Sequence, residues 1–178
     1  MIKRLLLLLL FIPSLTFSQS KTLRAGLELD LLPYATGGYF AGGWLGTDQL
    51  RVRGIIASVN IPGFMIPDDF TNNKIKASAA VLDYSLKKNW TGWFAGTGLV
   101  MWNGTIQTRN KIQTASYKTY LLNGTLGYNL KLNKSFYISP WAGMHLKIAG
   151  NDKVSVDGEI YRPRLFNPEA SIKAGVMF

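Results

Sequence analysis

From Ala170 to Phe178, apolar residues occupy every second position: Ala170, Ile172, Ala174, Val176 and Phe178, with Ser171, Lys173, Gly175 and Met177 between them. A period of two sends successive side chains to opposite faces of an extended strand. The segment therefore reads as a strand with one wholly apolar face. Such a strand, ending on an aromatic, suits a barrel wall whose outer surface touches lipid. The same period recurs along the chain and constrains its fold more than any other feature.

Residues 1–20 read as a leader outside that fold. Lys3 and Arg4 are a short basic region, Leu5 to Ile12 are eight apolar residues in a row, Pro13 breaks the run, and Thr16, Ser18 and Ser20 are small residues suited to a signal peptidase. This is the layout of a cleaved secretory signal, too short to span a bilayer as a helix. A retained amphipathic or anchoring helix is the alternative. Cleavage after Ser18, Gln19 or Ser20 leaves 158 to 160 residues, one domain spanning 21–178, and loss of Lys3 and Arg4 lowers the formal charge from +10 to +8. With no cysteine, the chain has neither a disulfide framework nor a lipoprotein acceptor. Charged residues are 17%, below the ~25% of an ordinary soluble domain, while Gly (18) and aromatics (12%) are plentiful. No later segment approaches the ~20 apolar residues of a membrane helix. An exported chain of this kind points to a membrane β-barrel.

Eight strands follow from the alternation. The first spans Lys21–Leu32, with Leu23, Ala25, Leu27, Leu29 and Leu31 opposite Thr22, Arg24, Gly26, Glu28 and Asp30. The second, Tyr39–Gly46, is glycine-rich and open in facing. The third, Leu50–Asn60, sets Leu50, Val52 and Ile56 against Arg51 and Arg53. The fourth, Ile75–Leu86, turns Ala80, Leu82, Tyr84 and Leu86 outward and Asp83 inward. The fifth, Trp90–Trp102, is again open in facing. The sixth, Ser116–Leu132, sets Tyr120, Leu122, Leu126, Tyr128, Leu130 and Leu132 against Thr119, Asn123, Thr125, Asn129 and Lys131. Asn123-Gly124 could be a hairpin turn, but the alternation runs through it without changing phase. In the seventh, Phe136–Ile148, Pro140 cannot donate to a ladder and favours a bulge or an open pairing. Leu165–Phe178 is the eighth.

The turns at 46–49, 87–89 and 133–135 are short, whereas three loops on the opposite side (61–74, 103–115, 149–164) run to 13–16 residues. An even strand count with that asymmetry is the pattern of bacterial outer-membrane barrels. The expected fold is an all-β, eight-stranded, antiparallel up-and-down transmembrane β-barrel, with Tyr120 and Tyr128 near the aromatic girdles. The chain resembles the small outer-membrane barrels of the OmpX and OmpA membrane-domain type. The resemblance rests on the leader, on Ser139-Pro140-Trp141-Ala142-Gly143 and on the terminal pattern, and it covers the mature chain. It implies residence in the bacterial outer membrane and a role for Ile172, Ala174, Val176 and Phe178 as the signal read by the barrel-insertion machinery. The leader ending Phe17-Ser18-Gln19 is similar to those common in Bacteroidetes. With no peptidoglycan-binding domain after Phe178, that OmpA role is not expected.

An eight-stranded barrel has room inside for side chains rather than an open channel. The expected interior places Glu28, Asp30, Asp83 and Glu169 among Arg24, Arg51, Arg53, Lys131, Lys147 and Lys173 with His145, as an ionic network that plugs the lumen. A narrow polar path or an internal ligand site is the alternative, and the excess of cations would suit an anion. His145, the sole histidine, is the one candidate catalytic residue. Outer-membrane barrels that modify lipid A exist, but a Ser–His–third-group arrangement is not evident: Lys147 stands two residues after His145, and Ser139 lies some 20 Å along the strand. Asp83 and Glu169 as an acid/base pair have no supporting spacing. No His or Cys set suggests a metal, and no cofactor is expected. Lys74, Lys76, Arg109, Lys111, Lys118, Arg162 and Arg164 lie at loop bases and rims, placed to meet lipopolysaccharide phosphates. Nucleic acid is not an expected partner, since the aromatics belong to alternating strands. The expected function is a monomeric structural or surface-interaction barrel without enzymatic activity. The rivals are a lipid-modifying enzyme using His145, a narrow pore, and a soluble lipocalin-type barrel with apolar faces inward.

Overall fold

The computed structural model describes residues 23–178. The leader at 1–20 lies outside the described residues, as do Lys21 and Thr22. The strands are Arg24–Asp30 (β1), Tyr39–Gly46 (β2), Leu50–Asn60 (β3), Phe70–Ser85 (β4), Gly92–Thr108 (β5), Thr114–Lys131 (β6), Phe136–Gly150 (β7), Val154–Val156 (β8), Glu159–Tyr161 (β9) and Phe166–Met177 (β10). All but β8 and β9 close into one antiparallel barrel, in the order β1-β10-β7-β6-β5-β4-β3-β2. Met177 pairs with Gly26, and Phe178 N donates to Ala25 O at 2.8 Å, so the terminal strand closes the ring.

The alternation decides the facing. Leu27, Leu122, Leu126 and Ile172 are exposed on the outer wall, while Glu28, Arg53, Asn123 and Lys173 are buried inside. This is the inverse of a lipocalin. A closed barrel with an apolar outer wall and ionic groups within is a membrane-spanning object, because the ring leaves no sheet edge to meet hydrocarbon. Trp93 packs edge-on against Tyr128, ring centroids 5.2 Å apart, as part of the turn-end girdle.

The glycine-rich strands resolve through their neighbours. Trp44, Tyr117, Phe94 and Tyr137 turn inward, and each lies over a glycine that is its register partner on the next strand: Gly26, Gly104, Gly127 and Gly175. A Cβ at any of these glycines would overlap the ring. Large interior rings fit a narrow barrel only where the facing position carries no side chain.

Several boundaries differ from the sequence reading. Leu31 and Leu32 leave the first strand for a short helix, Leu31–Ala35 (α1), because Asp30 caps it by accepting from Leu32 N at 3.2 Å. Trp90 belongs not to a strand but to the turn before β5, with its ring folded into the lumen mouth and Nε1 donating to Thr47 O at 2.6 Å. The loops expected at 61–74 and 103–115 shrink, because β4 starts at Phe70 and β5 and β6 run from Gly92 to Thr108 and from Thr114 to Lys131. Their polar outward residues (Lys74, Lys76, Asn103, Lys118) look like loop by composition, yet their backbones stay paired. Asn123-Gly124 lies within continuous β6. At Pro140 the β6–β7 ladder is interrupted: pairing runs to Gly127–Trp141 and resumes at Leu130–Ile138.

The loop expected at 149–164 holds the β8–β9 hairpin. Asp157 (φ 50°) and Gly158 (φ 83°) are its two central residues, the left-handed pair of a type I′ turn. Val154, Val156 and Tyr161 pack with Ile66, Phe70, Ile106 and Tyr117 into an apolar cluster. Asp157 ties the hairpin to the β5–β6 connection, accepting from Thr108 Oγ1 at 2.6 Å and from Gln113 N at 3.2 Å.

Candidate functional site

The interior is not one network but several groups at different heights. Towards the turn end, β1 supplies Glu28, β3 Arg51 and Arg53, β4 Asp83 and β7 Tyr137. Arg51 Nη1 meets Glu28 Oε1 at 2.8 Å and its Nε meets Asp83 Oδ2 at 2.8 Å. Arg53 Nε reaches Asp83 Oδ2 at 2.6 Å and its Nη1 reaches Glu28 Oε2 at 3.3 Å. Two cations and two anions thus share every contact, all four nearly free of solvent. Tyr137 Oη donates to Glu28 Oε1 at 2.7 Å and accepts from Trp44 Nε1 at 2.9 Å. The Arg51 guanidinium also faces the rings of Trp44, Trp90 and Phe94 at 5.4, 4.6 and 5.5 Å. Charge pairs desolvated to this degree persist only when each is matched.

Asp30 stands apart from this quartet. It accepts from Trp141 Nε1 at 2.7 Å and from the Ser171 hydroxyl, besides capping α1. Arg24 lies at the turn rim, 3.7 Å from Asp48, and donates to Asn89 Oδ1 at 2.9 Å. Lys131 is half-buried near that rim and forms no ion pair among the described residues. Lys147 sits at the loop end, where Nζ donates to Asp152 Oδ1 at 2.6 Å and holds that carboxyl below its usual pKa. The single interior network expected over Arg24, Glu28, Asp30, Arg51, Arg53, Asp83, Lys131, His145, Lys147, Glu169 and Lys173 is therefore corrected to a central quartet with separate neighbours. The cause is axial distance: inward positions on one strand step about 6.6 Å, so residues a few steps apart cannot share partners.

His145 forms its own group. Nε2 lies 2.9 Å from Glu169 Oε2 and Nδ1 lies 3.4 Å from Asn123 Nδ2. Thr125 Oγ1 donates to Asn123 Oδ1 at 2.7 Å, which fixes the amide so that its NH₂ points at the ring. Nδ1 is then an acceptor and Nε2 the donor to Glu169. Trp102 packs against the imidazole at 5.3 Å. Both ring nitrogens are engaged, and no hydroxyl is bonded to either. Asp83 and Glu169 occupy different groups and are not a pair. Among the described residues no set of His, Asp and Glu converges to hold a metal ion.

Above the quartet, the loop half of the lumen is hollow. A cavity of about 390 Å³ is walled by Ile55, Ala57, Val59, Ala77, Ala79 and Val100, with Arg53, Lys173 and the His145–Glu169 pair also on its lining. Sequence reasoning missed it. The inward positions of β3 and β4 there (Ile55, Ala57, Val59, Ala77 and Ala79) are aliphatic while Lys74, Lys76 and Ser78 lie outside, so polarity marks the opposite face from that of the turn half.

No protein-family model matches the chain, and no curated protein does. Among solved structures, the N-terminal β-barrel domain of Pseudomonas aeruginosa OprF superposes with a TM-score of 0.57, at 12% identity, over 87% of this chain and 97% of that one. The fold is that of the small outer-membrane β-barrels. Neisserial surface protein A aligns at 9% identity and a TM-score of 0.49, over 87% of this chain and 92% of that one. At these identities the likeness concerns architecture, and the barrel's own interior must carry the functional argument.

Proposed function

We propose that this chain is a small, monomeric barrel of the bacterial outer membrane with a structural or surface-interaction role, closed to ions at its turn end and without enzymatic activity. The observation that carries the reading is the burial of Trp90, Trp44, Arg51, Glu28 and Asp83 at the turn end, none more than 3% exposed, where a pore would need water. The braced loop end, with the β8–β9 hairpin tied to the β5–β6 connection, supports presentation of a shaped surface. Lys76, Asn103 and Lys118 form a row across the outer faces of β4, β5 and β6, with Lys74 one step towards the loops. That row suits lipopolysaccharide phosphates at the edge of the apolar wall. The terminal Ile172, Ala174, Val176 and Phe178 face outward, as recognition by the insertion machinery requires. The engaged nitrogens of His145 weigh against a proton-accepting role.

Planar-bilayer recording on the purified, refolded full chain tests the central claim. A silent bilayer is expected, and stepwise openings abolished by reductions in protein would overturn the closed reading. Lipid A profiles of cells expressing the wild type and His145→Ala are expected to be identical; a change present only with the wild type would restore the enzyme.

A further inference from the structure

The cavity in the loop half of the lumen has a charged floor and an apolar exit. Lys173 is only 2% exposed, yet its Nζ makes no ion pair or hydrogen bond among the described residues and sits 3.9 Å over the Trp141 ring on the cavity lining. Its potential partners are committed elsewhere. Asp30, its register neighbour on β1, is taken by Trp141, Ser171 and the α1 backbone, and Glu28 by the two arginines and Tyr137. Glu169 lies four residues further along β10, about 13 Å away, with His145. A buried ammonium held by an aromatic ring but by no anion at ion-pair distance is costly, and a ligand anion would match it. Above it the wall is aliphatic for some 20 Å of β3, from Arg53 to Val59. The mouth is lined by Pro62, Phe64 and Met65, with the Phe64 ring 89% exposed. About 390 Å³ falls within the roughly 300–1,000 Å³ of small-molecule sites.

We propose that this cavity binds a free fatty carboxylate, its head on Lys173 at the floor and its chain running up the aliphatic wall to the mouth. Head-down orientation follows from where the cations lie: Lys173 is deep and desolvated, while Pro62, Phe64 and Met65 give the mouth an apolar side for the chain. Arg164, at the mouth, is exposed and already solvated, so it offers a carboxylate less. The inference goes beyond the structural role proposed above, and it stands or falls by binding rather than by conductance.

Calorimetric titration of the full chain in phosphatidylcholine nanodiscs, corrected against empty discs, tests it. Dodecanoate is expected to bind one per barrel, with dodecanol and dodecyltrimethylammonium at least about tenfold weaker. Lys173→Met is expected to weaken dodecanoate by at least about tenfold and Ala79→Phe, which fills the wall, to abolish it, while Arg164→Ala changes it less than about twofold. Migration of unheated and boiled samples verifies that each variant is folded, and the three-ligand comparison on the wild type needs no variant. Equal affinity for dodecanol, or loss with Arg164→Ala but not Lys173→Met, would overturn the assignment. Solvent extraction of the barrel purified from membranes, followed by mass spectrometry, separates the sources: free acid supports the proposal, and an intact phospholipid or lipid A with its chain in the cavity overturns it.

Discussion

Asp83 meets two guanidinium groups and no water, so its removal leaves Arg51 and Arg53 sharing one carboxylate inside the barrel. Asp83→Ala is expected to lower stability by about 3–5 kcal/mol in urea-dependent unfolding from vesicles, the range for a buried pair broken on one side. Tyr137→Phe keeps the ring over Gly175 but strands Trp44 Nε1 and leaves Glu28 Oε1 with Arg51 alone, and should cost about 1–3 kcal/mol in the same measurement. At this scale the sequence was readable in part. Arg51, Arg53 and Asp83 sit opposite outward leucines, valines and tyrosines, and the inward placement of every member of the expected network follows from that alternation. What could not be read was height within the lumen, which depends on how far neighbouring strands are staggered. Trp44, Tyr137 and Asn123 act as polar partners, and nothing local to them distinguishes that from simple packing.

Among the elements, the β8–β9 hairpin carried a legible signal that the charge content of its loop concealed. Asp157-Gly158 between Val154-Ser155-Val156 and Glu159-Ile160-Tyr161 is a two-residue hairpin connection of the favoured kind. Gly158→Val forces a β-branched residue to φ 83°. Limited proteolysis should then cut within 150–165 faster than in the wild type, leaving the strands of the closed ring intact. Equal cleavage rates would show that the apolar cluster, not the turn, holds the hairpin. The glycine-rich strands were illegible for a different reason. Their facing shows in an inward aromatic set against a glycine on the neighbouring strand, a relation between residues such as Phe94 and Gly127 that are far apart in the chain. Gly127→Val is therefore expected to impair refolding far more than Gly124→Val, since a Cβ at Gly124 meets nothing within 4 Å. Yields of the heat-shifted form in electrophoresis compare the two.

For the whole molecule, the decisive property is that the outer wall is continuous and uncharged between the girdles. Leu126→Arg, placed on that wall, is expected to destabilise the folded state in vesicles by about 2–4 kcal/mol, the cost of a cation near the bilayer midplane. Lys76→Ala, at the loop-side edge, should fall within about 1 kcal/mol, since charges near the interface are close to neutral in energy. The eight strands of the ring, their order and the outward faces of all but the second and fifth were accessible from the period of two. The hollow was not, because around it the aliphatic residues line the inside while Lys76, Asn103 and Lys118 lie outside, the reverse of the polarity that marks the turn half.

The central ions are drawn from β1, β3 and β4, and Tyr137 of β7 reaches them from beyond the β1–β10 seam. Until β10 pairs with β1, Glu28 and Trp44 lack the hydroxyl that Tyr137 brings to both. A ring still open at that seam would leave the Trp44 indole N–H unbonded among apolar rings, so closure itself completes the polar interior.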